Sequence, residues 1–219
     1  MNAPTKTQES AKGRTRDPEA TRECLLHCAF QEIYEHGYAG ASLDRILAHS
    51  GVTKGALYHH FGSKAELANA VIDEVIRPLV MERWADPIAE SDDPITALRE
   101  HLTEVMADFT DQEMACGCPL NNLVQELANA AEGFREHLAR VYDEWRAGLA
   151  VAFARGKAAG NVRQDVDPAA AAAFIVASVE GLATTMKSSR DREVTGSAAT
   201  MFLQFLESLR PAPAEAHAA

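Results

Sequence analysis

Apolar residues recur at three- and four-residue intervals along most of this chain. The strict apolar/polar alternation of a half-buried strand is missing, and β-branched residues are sparse, so the pattern predicts helices throughout and an all-α fold. Leu25, Leu26, Ala29, Phe30 and Ile33 form the first stripe, on a helix from about Asp17 to His36. Asp17-Pro18 supplies an N-cap followed by proline at the first helical position, and Gly37 takes the place of a C-terminal glycine cap. Ser42 opens a second, short helix with Asp44 in its first turn and Leu43, Ile46 and Leu47 facing inward. Gly51 ends it, and Thr53 caps a third. Two short helices joined by a three- or four-residue turn containing glycine have the helix-turn-helix spacing. Ser63-Lys64-Ala65-Glu66 is a capping box for a fourth helix carrying Leu67, Val71, Ile72, Val75 and Ile76, which kinks or ends at Pro78. Two further prolines, Pro87 and Pro94, with the acids before them, predict a loop over residues 86–94. More helices are expected near 94–112, 119–130, 133–158, 168–187 and 195–209. Residues 1–16 read as a disordered basic arm and 211–219 as a loose Ala/Pro-rich tail.

Composition adds a core and removes several classes. The chain has 219 residues, 47% of them hydrophobic, with 9 Pro and 13 Gly, enough for one large or two small domains. No run of ~18 apolar residues is evident and the N-terminus lacks an apolar h-region, so neither a membrane span nor a secretory signal is expected. Four cysteines are too few for a disulfide scaffold, which makes a cytoplasmic protein with reduced thiols the expectation. The net charge of −11 argues against nucleic acid until it is mapped. Residues 1–64 carry 8 Lys/Arg against 7 Asp/Glu, with five histidines; residues 65–219 carry 13 against 25. A near-neutral first part can meet phosphate while an acidic body repels it.

The chemistry concentrates at Thr53-Lys54-Gly55-Ala56-Leu57-Tyr58-His59-His60-Phe61. A recognition helix presents its N-terminal residues to base edges, and Thr53, Lys54 and Gly55 stand at that end. Free N–H groups and the positive dipole end there also suit phosphate. Lys54 can reach a guanine edge or a phosphate, Gly55 lets backbone approach a base, and His59 can meet either. Leu57 and Phe61 fall one turn apart on the buried face and are assigned to the core. Taken singly, Tyr58 and His60 equally fit packing on the first helix, and Lys64 a solvated charge.

His36-Gly37-Tyr38, Ser42-Leu43, Ile46, Ala48, Ser50-Gly51-Val52, Lys54 to Phe61 and Ser63-Lys64-Ala65-Glu66-Leu67 together resemble the DNA-binding region of the tetracycline-repressor (TetR) family. The resemblance covers roughly residues 17–70 and departs at Leu47 and Ser50, where the family often has alanine. It implies phosphate contacts at Ser42, Tyr58, His60 and Lys64. It also implies two domains, a three-helix DNA-binding domain over 17–63 and a helical ligand-binding and dimerisation domain over 64–210, and a homodimer on double-stranded operator DNA.

Two half-sites need two reading helices about 34–36 Å apart, so the acidic part should dimerise. The last two helices offer a small-residue stripe (Phe174, Ala177, Ser178, Gly181) and a Phe-rich face (Phe202, Phe205, Leu206), with an internal core as the alternative. The resemblance further implies a small-molecule effector among the middle helices, with Trp84, Met106, Phe109, Cys118, Leu123, Tyr142, Trp145 and Phe174 as wall candidates. Tyr142 and Trp145 are preferred, because a buried hydroxyl or indole N–H wants a partner.

Cys116-Gly117-Cys118-Pro119 admits two readings: small residues at a tight turn, or a thiol sensor of electrophiles or oxidants in which the helix N-terminus lowers the Cys118 pKa. Neither C-x-C nor Cys24/Cys28 has zinc spacing, and no metal or cofactor is expected. No G-x-S-x-G, H-E-x-x-H or glycine-rich phosphate loop is present, which leaves an enzyme without machinery. The expected protein is a dimeric transcriptional regulator, a repressor released from a palindromic operator by a small molecule. An effector-independent DNA binder is the remaining alternative.

Overall fold

A computed structural model describes residues 17–127 and 132–212; the basic arm at 1–16 and the end of the tail, 213–219, lie outside the described residues. The described residues form ten helices and no strand. We number them α1 (Pro18–Gly40), α2 (Leu43–Ser50), α3 (Lys54–His60), α4 (residues 64–89), α5 (Pro94–Asp108), α6 (Asp111–Cys116), α7 (Pro119–Leu127), α8 (Glu132–Ala159), α9 (Pro168–Ser189) and α10 (Arg192–Ser208). Helix α1 packs on α2, α4 and α7, while α8 and α9 form the most extensive pair and α10 lies on α9.

Local chemistry explains the first four helices. The Asp17 carboxylate accepts from the Glu19 N–H, and Pro18 follows at the first helical position. Gly37 breaks α1 at φ 71° and ψ 168°. Beyond the break the free N–H groups of Tyr38 and Ala39 donate to the two oxygens of Glu126 on α7 (2.8 and 2.6 Å). A Cβ at Gly37 would sit 2.9 Å from that carboxylate, so both the backbone angle and the close approach require glycine. Ser63 caps α4 by accepting from Glu66 N–H (3.1 Å), but the return bond from Glu66 goes to Gly62 N–H, one residue before the expected partner. Ser42 holds the N-cap position of α2 without a side-chain cap bond; its N–H donates instead to Glu32 Oε1 (3.0 Å).

Glu32 is the buried polar hinge between α1 and α2. Its Oε1 also accepts from Arg45 Nε (2.7 Å), and that bond, more than the Ser42 N–H, holds its carboxyl below the usual glutamate range. The contribution is present above the ordinary glutamate pKa and is lost as acid titrates the carboxylate. Glu32→Ala is expected to cost about 1–3 kcal/mol in denaturant unfolding, because Ser42 N–H and Arg45 lose their acceptor together. Wild-type stability in that variant would remove the assignment.

Three expectations are corrected. Helix α4 neither ends at Pro78 nor gives way to a loop at 86–94: it runs on to Ala89, and only residues 90–93 connect it to α5. Each proline follows a widened π turn, Ile72–Ile76 before Pro78 and Met81–Ala85 before Pro87, where Arg77 and Asp86 donate to carbonyls five residues back. A π turn accommodates the missing proline N–H and the ring that would collide in a regular helix. The helix expected over 94–112 breaks at Phe109, and Thr110 starts the separate α6 with a true capping box to Glu113. Finally, α9 is long and apolar enough to cross a membrane by length and composition, with a mean hydropathy of 1.5 over its best window. Its alanine-rich run is interrupted by Glu180, which is buried against Tyr142 and Cys118, and the helix packs between α8 and α10.

Candidate DNA-reading head and interior cavity

The head is held from below and open above. Leu57 and Phe61 are buried as expected (0% and 3% exposed) and seat α3 on α1, with Val52 and Ile46 beside them. Gly51 adopts the left-handed conformation (φ 61°) that turns α2 into α3, and Thr53 Oγ1 caps α3 by accepting from Ala56 N–H (3.2 Å). Thr53, Lys54, Gly55, Tyr58 and His59 are all exposed, and a Cβ on Gly55 would meet nothing within 4 Å. Tyr58 is 45% exposed, so it does not pack into α1. His60 is half-buried, edge-on to His59 and beside Phe61. Lys64 is half-buried, its Nζ 4.6 Å above the Tyr38 ring. That cation–π contact is worth about 0.5–1 kcal/mol at an exposed site, little enough for a phosphate to replace. The Ser42 hydroxyl, free of capping duty, is half-buried at the start of α2.

Behind the head lies a cavity of about 190 Å³ whose walls come from α1, α4, α6, α7, α8 and α9. Four of the expected residues line it: Trp84, Phe109, Cys118 and Trp145. Met106 borders a small adjoining void shared with Trp84 and Phe109. Tyr142 stands one layer behind, stacked on Trp145 (6.3 Å) with its hydroxyl donating to Glu180 Oε1 (3.0 Å). Two candidates are corrected. Leu123 is buried beside a separate depression between α1 and α7, and Phe174 is half exposed on the outer face of α9 against Phe205.

The polar part of the wall was not anticipated. Arg83 and Glu113 are bonded to each other (2.6 Å), and the guanidinium lies 5.3 Å over the Phe109 ring. Burial works against the Glu113 carboxylate, but the Thr110 N–H and hydroxyl, with Arg83, hold its pKa below the usual range. Tyr34 of α1 donates to the Gly117 carbonyl (2.7 Å), which ties the head to the turn between α6 and α7. Glu180 is buried at 8% exposure; Oε1 accepts from Tyr142 and from Cys118 Sγ (3.4 Å), while Oε2 has no partner. Burial raises its pKa. Trp145 Nε1 is also buried without a partner. The signal was in the sequence: Glu180 is a lone acid in an apolar run of α9, and Thr110-x-x-Glu113 is a capping box.

The thiolate sensor is corrected on the same geometry. Desolvation, reinforced by the Glu180 carboxylate, pushes the Cys118 thiol far above its ordinary value. The thiol acts as a hydrogen-bond donor, and a neutral thiol is a poor nucleophile. Among the described residues no group of three His, Cys, Asp or Glu side chains is disposed to hold a metal ion.

The outer faces of α9 and α10 divide the expected interface in two. Phe174, Ala177 and Gly181 are exposed, Ser178 and Phe205 are half-buried, and Val194 and Met201 are exposed alongside them. Phe202 and Leu206 are buried in the chain's own core (6% and 0%) and are removed from that list, because their side chains already pack inward.

An exposed helix-turn-helix on an all-α body with an internal cavity defines a helix-turn-helix DNA-binding regulator. Residues 25–71 match the family described as bacterial regulatory proteins of the tetR family, and residues 94–202 match the tetracyclin repressor-like C-terminal domain. The chain is 30% identical over 174 residues to an uncharacterized HTH-type transcriptional regulator in the lacX 3' region of Lactococcus lactis, covering 80% of this chain and 87% of that one. It is 28% identical to the HTH-type transcriptional repressor DhaR of a Mycobacterium species, over 78% of this chain and 85% of the relative. A TetR regulator from Chloroflexus aurantiacus superposes with a TM-score of 0.75 at 28% identity, covering 88% of this chain and 97% of its own. A Cytophaga hutchinsonii TetR-family structure has the same fold, with a TM-score of 0.80 at 20% identity over 90% and 98% of the two chains. This chain belongs to the TetR family of transcriptional regulators. The family binds operator DNA and is not enzymatic.

Proposed function

We propose that this protein is a dimeric, cytoplasmic repressor that a small molecule releases from a palindromic operator. Residues 17–63 act as the reading head and 64–210 as the sensing and dimerising body. The observation that carries the reading is the composition of the cavity wall: α1 and α4, the two helices that hold the head, also wall the cavity. A molecule lodged there touches Tyr34 and Gln31 of α1 and Leu79, Val80, Arg83 and Trp84 of α4. It thereby favours whichever head position suits its own contacts, and its differential affinity sets how far the equilibrium moves. The repressor relative supports the direction of regulation. Dimerisation is supported by the apolar strip of α9 and α10, which is otherwise left facing water. Within the head, Lys54 and Gly55 approach bases, while Ser42, Tyr58, His60 and Lys64 hold phosphates and Thr53 and His59 flank them.

A mobility-shift titration tests the coupling: a compound that binds the protein should weaken operator binding, and unchanged affinity under saturation would refute release by a ligand. Lys64→Ala should weaken binding to every sequence and lower the salt slope by about one. Lys54→Ala should instead change the preference among operators by about 1–3 kcal/mol per base contact. Equal losses on operator and random DNA would make Lys54 a phosphate contact only.

A further inference from the structure

Two residues in the wall of the cavity behind the head carry polar atoms that are buried and unpartnered. Glu180 on α9 and Trp145 on α8 both line it, and each holds a buried polar atom with no partner: a carboxylate oxygen, Oε2, and an indole donor, Nε1. The other charges among its described lining residues, Arg83 and Glu113, are bonded to each other and cancel. Glu180 is therefore the acid among those lining residues that has no basic partner. A buried acceptor and a buried donor both seek a partner. The surroundings are aromatic: Trp84 stacks on Trp145 (6.1 Å, 27° between planes), Phe30, Tyr34 and Phe109 line the wall with them, and Tyr142, one layer behind, also stacks on Trp145 (6.3 Å, 18°).

We propose that this cavity takes a compact aromatic ammonium compound, whose cationic nitrogen donates to Glu180 Oε2 and whose oxygen acceptor receives the Trp145 indole N–H. The inference rests on the reading of the cavity as an effector site and adds the chemical class of the effector. Two alternatives fit less well. An anion would place a second negative charge beside Glu180. A neutral hydrocarbon would leave both polar atoms unpaired. A cation meets the carboxylate and the negative faces of the aromatic rings together. Size sets the scale: a cavity of about 150 Å³ accepts benzene, and about 190 Å³ admits one ring with a short polar chain. Burial works against the free Glu180 carboxylate, and an ammonium partner reverses that penalty.

The test is isothermal titration of the full-length protein at neutral pH with three probes that share a phenol ring: tyramine, the uncharged alcohol tyrosol, and para-hydroxyphenylacetate. Tyramine is expected to bind at least about tenfold more tightly than tyrosol, with the acid weakest. Glu180→Gln should bring tyramine and tyrosol together. Trp145→Phe, which keeps the ring and removes the N–H, should weaken all three without changing their order. If Glu180→Gln does not fold, the wild-type ranking decides alone. The proposal is overturned if tyrosol matches or exceeds tyramine, if none of the three binds, or if folded Glu180→Gln keeps the preference for tyramine. Operator release is read separately by mobility shift. Tyramine that binds with the expected preference and leaves operator binding unchanged removes the effector reading and keeps the cation site. An uncharged compound that releases the operator and binds better than tyramine does the reverse.

Discussion

Gly181→Arg is expected to yield a folded monomer that has lost operator affinity by at least about a hundredfold. The position is suited to a clean result. Gly181 is exposed on α9, and a Cβ there meets nothing within 4 Å, so a long side chain fits the single chain without strain. Arginine is also a better helix former than glycine, so the helix itself loses nothing. A partner helix lying on this strip would meet a desolvated guanidinium with no carboxylate beside it, since the residues one turn away on α9 are Ala177, Ser178, Thr184 and Thr185. The affinity loss follows from binding one half-site without the effective concentration that links it to the second. Sedimentation would report the mass, circular dichroism the fold, and a mobility shift the affinity. A variant that stays dimeric places the interface elsewhere.

Leu57→Ala is expected to cost about 2–5 kcal/mol and to abolish operator binding at ordinary growth temperature. Leu57 is fully buried and is the main apolar anchor of a helix only seven residues long. A helix of that length is not stable on its own, so its position depends on this packing. The body is anchored by its own buried set, including Trp145, Phe153 and Ile175, and should keep its cavity. Chemical denaturation followed by both circular dichroism and tryptophan emission separates the two regions, because Trp84 and Trp145 both sit in the body. A loss below about 1 kcal/mol would mean that the head is held by something other than this side chain.

The two predictions draw on regions of unequal legibility. The head was readable because its determinants are local. Asp17-Pro18, Gly51, Thr53 and the pair Leu57/Phe61 each act within a turn or two of themselves, and each did what its residue type dictates. The cavity was readable only in its aromatic residues. Its polar geometry joins Tyr34 to Gly117 across 83 positions and Cys118 to Glu180 across 62, distances over which periodicity carries no information. Phe174, Phe202 and Leu206 illustrate the limit on helix faces. All three are apolar at helical spacing, yet one faces out and two face in, and the rotation of α9 against α10 decides which. Pro78 and Pro87 misled for a different reason: a proline forbids one hydrogen bond, and a widened turn can do without it.

Those two widened turns bear on how the body can move the head. Along α4 the buried positions Ile72, Ile76, Val80, Ala85 and Ile88 recur at close to four residues per turn. On a regular helix of 3.6 residues per turn, such a repeat would drift by about 40° at each step and wind the stripe toward the opposite side by Ile88. The π turns absorb the drift and keep the stripe in line with the core. The winding of α4 is therefore a compromise between backbone and packing, and not a property of the backbone alone. Leu79, Val80, Arg83 and Trp84, which touch the cavity, lie at and between the two places where that compromise is made. A guest in the cavity thus has torsion, as well as tilt, available as a means of turning the head fixed at the start of the same helix.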